Sequence, residues 1–514
     1  MLKFKIPRGE IAPFRWSWRE QLLLAGYLLK WFVIAAPVAA IVGSAVALLL
    51  WSLDLVTHQR FVWPWLLFFL PLAGASISAL YSILGAQSEG GNNLLMDAIY
   101  GFEDDEENDE DEAREDDHES VIDEDVAVAA QNAVEKAKDE SGTSDSGVVV
   151  PRRMAPLILI ATIVTHLCGG SVGREGTALQ MGGSIAATCG EIFHLSRADM
   201  RMLLMAGIAA GFGAVFGTPL AGAVFALEVL VVGRVRYDAL IPCLFAAAVG
   251  AWTCSAWGID HWHRTIEISG IVTDKTLFDW ALAMKVAVAG VTFGLVSVLF
   301  AELTHSIDHF FKRKIARPLW RPVIGGVLVI ALTYLLGTRD YLGLGIYTHE
   351  PNGVTVLTAF SPDGAGDWSW WWKLFFTALT LGSGFKGGEV TPMFFIGATL
   401  GNVLAHIMGA PVELFAALGF VAVFAGAINT PLAGALMGIE LFGSEGAIYF
   451  AIACFIAYAS SGHSGIYLSQ RIGTPKLRSV ALPPHASLRT ARDMKKRRRR
   501  KEDRKPNSPS NPPV

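Results

Sequence analysis

Residues 216–230 read FGTPLAGAVFALEVL, and residues 428–442 read INTPLAGALMGIELF. The shared hexapeptide TPLAGA begins at Thr218 and again at Thr430, an offset of 212, and Glu228 and Glu440 follow at the same offset. Upstream, GGSIAATCG (182–190) lines up with MFFIGATLG (393–401) at an offset of 211, and in that frame GREGT (173–177) falls on GFKGG (384–388). A hexapeptide, a following carboxylate and an upstream match in nearly one frame indicate two homologous halves. The match does not give their relative direction.

The surroundings of the repeat are built for lipid. Of 514 residues, 52% are hydrophobic and only 17% charged, with 15 Trp, 29 Phe and 52 Gly. Membrane helices carry this excess of Gly and interfacial aromatics. Runs such as 22–51, 61–84 and 281–303 reach the length of a spanning helix, whereas MAPLILIATIVTHL (154–167) is too short for a full crossing. Full and partial spans together suggest helices that stop inside the membrane around a cavity, as in transporters with repeated halves. The basic N-terminus, with Lys3, Lys5, Arg8, Arg15 and Arg19, precedes an apolar stretch too long for a cleavable signal peptide.

Two charged clusters interrupt this pattern. Residues 103–125 hold sixteen acids against one Arg, a composition expected to be disordered and self-repelling. The C-terminal RDMKKRRRRKEDRK (492–505) reads as a topology and lipid-surface signal rather than a nucleic-acid site. Basic residues at both ends place both termini on the cytoplasmic side. The resulting domain map is 1–101 for the N-terminus and first helices, and 102–149 for an acidic cytoplasmic insert. The rest of the membrane domain spans 150–470, and a basic cytoplasmic tail spans 471–514.

The glycine loops carry the chemistry. GGSVGREGT (169–177) runs into an apolar helix, GSGFKGGEVTP (382–392) does the same in the second half, and SEGGNNLL (88–95) makes a third such loop. Small residues before a helix present backbone N–H groups into one space, and the helix N-terminus adds partial positive charge. Paired amides, Asn92 and Asn93 after Gly91, add donors. Such loops favour a small anion without a buried full cation. Glu175, set beside Arg174, is then a competitor that occupies the anion's place when ionised and leaves when protonated. A simple Arg174–Glu175 ion pair is disfavoured, because neighbours at i, i+1 do not face one another on a helix.

GREGT, GGEVTP and the repeated TPLAGA…E together resemble the chloride-channel (CLC) family of anion channels and proton-coupled antiporters, over roughly residues 20–101 and 150–470. The resemblance implies an all-α polytopic membrane protein of two inverted repeats of tilted and broken helices. It also implies a homodimer with one pore per subunit, and a gating glutamate that maps onto Glu175. Tyr467 matches the family's late pore tyrosine, with its hydroxyl directed at the anion or at Glu175. Where chloride members carry GSGIP, this chain has Gly91-Asn92-Asn93-Leu94-Leu95; Thr177 replaces the usual Pro, and Glu389 and Thr391 stand where most members are apolar. These departures resemble the bacterial fluoride/proton antiporter branch. A second proton glutamate, common in chloride/proton exchangers one position beyond Glu228, is here Val229.

The expected site is therefore Glu175 for gating and proton transfer. The anion contacts are Gly91, Asn92, Asn93, Gly173, Arg174, Gly176, Glu389, Val390, Thr391 and Tyr467. Expected partners are fluoride or chloride, protons, membrane lipids and a second copy of the chain, in a bacterial inner membrane. Chloride/proton exchange or a chloride channel is the alternative. No metal, cofactor or nucleic acid is expected, and no Walker A loop, HExxH or CxxC pair indicates an enzyme. The five Cys read as small buried residues, and HWHR (261–264) as an interfacial loop.

Overall fold

The chain is described by a computed structural model over residues 18–102, 149–266, 279–348, 350, 352–476, 482–483 and 486–503. The acidic run 103–125, Lys3, Lys5, Arg8 and Arg15 lie outside the described residues, as do the expectations placed on them.

Helices dominate, and they come in matching order. The first half holds α1 (Trp18–Val62), α2 (Leu70–Leu84), α3 (92–102), α4 (Met154–Leu167), α5 (Glu175–Ile192), α6 (Arg197–Phe216), α7 (Pro219–Glu228) and α8 (Leu240–Ala256). The second holds α9 (Trp280–Lys314), α10 (Trp320–Leu336), α11 (Ser369–Gly382), α12 (Val390–Met408), α13 (Val412–Ile428), α14 (Pro431–Phe442) and α15 (Ala447–Ser460). A three-residue 3₁₀ turn at Thr358–Phe360 stands where the first half has α3. Each half thus opens with a very long helix, 45 residues for α1 and 35 for α9. At about 1.5 Å per residue both exceed the roughly 30 Å apolar core of a bilayer, so they must cross at a tilt. The short helices α7 and α14, of 10 and 12 residues, cannot cross alone. Six described helical segments are long and apolar enough to span a membrane.

Local signals set several of these boundaries. The Ser196 hydroxyl accepts from Asp199 N at 3.2 Å and starts α6, and the Asp279 carboxylate accepts from Ala281 N at 2.8 Å and starts α9. Proline opens α7 and α14, where its missing N–H has no partner to lose.

The repeats are inverted, and their carboxylates show it. Glu228, the last residue of α7, accepts from Leu432 N (3.1 Å) and Ala433 N (2.9 Å) at the start of α14. Glu440, near the end of α14, accepts from Leu220 N (3.0 Å) and Ala221 N (2.8 Å) at the start of α7. The two helices therefore lie antiparallel, and each is capped by the other. A carboxylate at a helix C-terminus opposes its own dipole; here it serves the N-terminus of the symmetry mate. The same two-fold relation recurs where Gly173 N donates to Gly388 O at 2.5 Å and Gly388 N to Gly173 O at 2.7 Å.

One sequence register is corrected. A Cβ on Gly182 would lie 2.1 Å from Gly207 O, and one on Gly397 would lie 2.0 Å from Gly419 O, so Gly182 and Gly397 play one part at an offset of 215. The expected offset of 211 is wrong by four residues. Four residues is close to one helical turn, so a small-residue face matches itself under that slip. The TPLAGA frame stands: α7 and α14 start 212 apart.

After α15 the chain turns back through the fold. β1 (Val231–Val232) pairs in parallel with β2 (Arg471–Ile472), and α16 (Leu488–Asp503) follows. Leu488 is buried against Val232 and Ile472, and Arg492 pairs with Glu302 at 2.8 Å. The first part of the segment expected to be a tail is thus packed onto the membrane domain.

Candidate functional site

The two glycine loops meet back to back. A Cβ on Gly388 would lie 2.7 Å from Gly176 N and 3.0 Å from Glu175 N, so only glycine lets the second loop close on the first turn of α5. The contact brings the N-termini of α5 and α12 together, as the repeat predicts.

Glu175 is the first residue of α5 and is only 1% exposed. Its Oε2 accepts from Arg174 N at 3.1 Å and from Thr391 N at 2.9 Å, and its Oε1 accepts a short bond from Thr391 Oγ1. The carboxylate therefore fills the cradle of N–H and O–H donors at the start of α12. These are the donors an anion would use. A Cβ on Gly173 would lie 2.8 Å from Glu175 Oε2 and 3.0 Å from Thr391 N, which places Gly173 as bare backbone beside the same cradle.

The Arg174–Glu175 pairing that helix geometry disfavours is present. Arg174 Nε stands 3.6 Å from Glu175 Oε1, an ion pair without a hydrogen bond. Arg174 caps the helix with φ −120° rather than lying within it, so the rule for successive helical residues does not apply.

Behind Glu175 lies a second cluster. Asn92 Nδ2 donates to Tyr467 Oη at 3.2 Å, and Asn92 Oδ1 is buried without a hydrogen-bond partner among the described residues. Glu389, the N-cap of α12, faces the Tyr467 hydroxyl, and its Oε2 is sequestered with no donor among the described residues. A Cβ on Gly176 would lie 3.0 Å from Glu389 Oε2 and 3.2 Å from Asn92 Nδ2, so the first turn of α5 touches both. Tyr467 bonds to Asn92 rather than to Glu175. Val390 is buried at the start of α12. Gly91 precedes α3 and lies beside the Gln180 amide.

Asn93 is elsewhere: its Oδ1 accepts from Ser469 N at 3.0 Å and holds the chain just beyond Tyr467. Thr177, in place of the usual Pro, hydrogen-bonds its hydroxyl to that of Thr162 at 2.7 Å and ties α5 to α4. Val229 offers its backbone, accepting from Gln470 Nε2 at 2.7 Å.

A cavity of about 430 Å³ opens on the other face of Glu175. Glu175, Arg174 and Thr391 line it, together with the aromatic rings of Phe216, Phe394 and Phe420. Phe394 and Phe420 stack with centroids 3.9 Å apart. Glu175 thus separates a vestibule from the Asn92–Glu389–Tyr467 cluster. The sequence reading missed the three phenylalanines, since in an apolar helix a cavity wall and a core residue look alike. It also missed His261, which lines the vestibule and hydrogen-bonds Ala214 O at 2.8 Å. All five Cys are free thiols, four of them buried. Among the described residues no group of His, Cys, Asp or Glu is placed to hold a metal.

Inverted halves with broken helices meeting at a carboxylate-filled donor cradle define an anion-transport protein of the membrane. The family profile described as "Voltage gated chloride channel" matches residues 126–462, and the chain belongs to that family, the CLC proteins. It is 43% identical over 468 residues to the "Chloride/fluoride channel protein" of Pseudomonas syringae pv. tomato, covering 91% of this chain and 92% of the relative. It is 30% identical over 307 residues to the "H(+)/Cl(-) exchange transporter ClcA" of Yersinia pestis, of which it covers 61%. Among solved structures it resembles a CLC-type fluoride/proton antiporter with a TM-score of 0.71 and 30% identity, over 89% of this chain and all of that one.

Proposed function

We propose that the protein exchanges fluoride for protons across a bacterial inner membrane, with Glu175 as both gate and proton carrier. The observation that carries this is the place of the Glu175 carboxylate, held by Arg174 N, Thr391 N and Thr391 Oγ1. An anion and an ionised carboxylate compete for those donors, so only one occupies the cradle. When Glu175 takes a proton its charge is neutralised, its hold on the donors weakens and the anion enters. When the proton leaves on the opposite face, the carboxylate returns and displaces the anion. Protons and anions then move in opposite directions without any covalent step, and the activity is transport rather than enzymatic catalysis.

Glu389 suits the second proton station, with its side chain interacting with Tyr467 and its unbonded Oε2 lying beside the turn that carries Glu175. It takes the part left open by Val229. Fluoride is favoured over chloride because Asn92 offers amide donors where chloride members offer a hydroxyl. A small, strongly hydrated anion needs firm donors to replace its water. The name of the 30%-identical solved structure, a fluoride/proton antiporter, supports the same choice, while the name of the Pseudomonas relative covers both ions. Both termini are cytoplasmic in this scheme, so the vestibule faces outward, and the functional unit is a homodimer of 55.4 kDa subunits.

The test is flux from liposomes containing the purified protein, read with fluoride and chloride electrodes and a pH-sensitive dye. An outward fluoride gradient should drive proton uptake. Fluoride movement without protons would make the protein a channel, and chloride moving as fast as fluoride with proton coupling would favour the chloride-exchange alternative.

A further inference from the structure

A second group of cations lies away from Glu175. Arg60, near the end of α1, is 9% exposed, yet among the described residues its guanidinium donates no hydrogen bond and meets no carboxylate. The Phe61 ring lies 5.1 Å from the guanidinium carbon. A guanidinium keeps its proton at physiological pH, so a buried one requires acceptors or a counter-ion.

Arg60 lines a cavity of about 120 Å³ between the α1–α2 turn and the loop after α10. Arg339 lines the same cavity and donates from Nη1 to Pro64 O at 3.3 Å. The two guanidinium groups repel one another. Asp340 is on the wall, but both its oxygens are engaged: Oδ1 by Thr348 Oγ1 at 3.0 Å and Oδ2 by Val354 N at 2.9 Å. Glu350 lines the chamber from an exposed position.

The loop is shaped around Arg60. Gly343 has φ +57°, and a Cβ there would lie 2.3 Å from Arg60 Nη1. The carbonyl of Gly343 accepts from the fully buried Lys373 Nζ at 2.6 Å, and Tyr341 O accepts from the same ammonium at 3.2 Å. Lys373 is thus satisfied by backbone and Arg339 in part, whereas Arg60 has no protein acceptor among the described residues and borders the chamber.

We propose that this chamber is a second anion site, holding one small inorganic anion between Arg60 and Arg339. A volume near 120 Å³ admits a halide or small oxyanion with a few waters, since each water takes about 30 Å³. It is too small for a whole nucleotide. Tyr347 lines both this chamber and the vestibule over Glu175, so the bound anion stands beside the transport path. The site goes beyond the exchange scheme and exists whichever anion is transported.

Bromide is the probe, because its anomalous scattering identifies it directly. Crystals of the full chain soaked in bromide should show an anomalous peak within hydrogen-bonding reach of the Arg60 guanidinium. Arg339→Gln should raise the bromide concentration for half-occupancy by about ten-fold, the effect of one lost charge-assisted contact. Arg60→Gln should remove the peak. If the Arg60 variant fails to fold, the Arg339 titration alone decides. No peak at Arg60 in the native protein, or a peak unchanged in Arg339→Gln (an adventitious ion only), overturns the proposal. A peak in the Glu175 cradle of Glu175→Gln reports separately on the exchange scheme, so the two can fail independently.

Discussion

Replacing Glu175 by Gln separates gating from proton carriage. The native carboxylate accepts three hydrogen bonds, from Arg174 N at 3.1 Å, Thr391 N at 2.9 Å and Thr391 Oγ1. Bonds to a charged acceptor contribute about 1.5–3 kcal/mol each, and neutral ones about 0.5–1.5. Glutamine keeps the size but offers one neutral oxygen, so the side chain loses roughly 1 kcal/mol per bond, or about 3 kcal/mol over the cradle. At about 1.4 kcal/mol per decade, an anion gains on the order of a hundred-fold in its competition for those donors. Passive fluoride flux should therefore persist or rise. Proton movement should vanish, because an amide does not titrate. The assay is proton uptake into liposomes driven by an outward fluoride gradient, run beside fluoride release from the same vesicles. Arg174→Gln is the control: its side chain contributes only the 3.6 Å ion pair, so it should weaken anion binding yet keep the proton-to-anion ratio in the remaining flux. Robust proton uptake by the Glu175→Gln protein would refute the mechanism.

Asn92→Ser should raise chloride flux relative to fluoride, read with both electrodes; an unchanged ratio would move selectivity to Glu389 and Thr391. Deleting residues 104–147 should leave fluoride flux largely intact, because that stretch has little apolar content with which to dock; loss of transport by correctly assembled protein would contradict this. Glu228→Ala should destabilise the protein by about 1–3 kcal/mol, since one buried and one half-buried N–H group of α14 lose their acceptor. Its thermal unfolding midpoint in detergent should fall below that of Glu413→Ala, whose carboxylate is at a half-exposed ion pair with Arg264; equal midpoints would deny Glu228 its capping role.

Much of the architecture was legible because the repeat leaves its mark in residue types. Glycines at helix crossings, prolines at helix starts and apolar runs of two lengths are dictated by backbone geometry and bilayer thickness. The site was legible in part. Glu175 and Thr391 stand out because polar groups among glycines and apolar helices are costly unless they meet partners. Their meeting, across 216 residues of chain, was not legible, and neither was the different task of Asn93, whose neighbour Asn92 has the same chemistry and sits one position away. Helical rotation turns adjacent side chains about 100° apart, so one amide reaches Tyr467 and the next holds Ser469. Nor did Arg60 draw attention, since an Arg at the end of a long helix ordinarily reaches water.

The inversion itself explains why the donor cradle forms where it does. Had the halves been related by translation alone, α5 and α12 would point the same way, and their N-termini could not meet end to end at the reciprocal Gly173–Gly388 bonds. A two-fold relation brings two positive helix ends to one place without bringing two full cations there. It also asks for compensation, because the same symmetry sets α7 and α14 antiparallel and brings the start of each to the end of the other. Glu228 and Glu440 supply it, each carboxylate closing the N-terminus of the opposite repeat. The fold thus uses glutamates in two ways at helix starts. In α7 and α14 they come from the opposite helix's C-terminal end and stay as caps. In α12 the acceptor comes from Glu175, the first residue of α5, while the N-cap Glu389 makes no side-chain capping bond and Val390 stands where α5 has Glu175, so the donors at this helix start are closed only by a carboxylate from the other repeat.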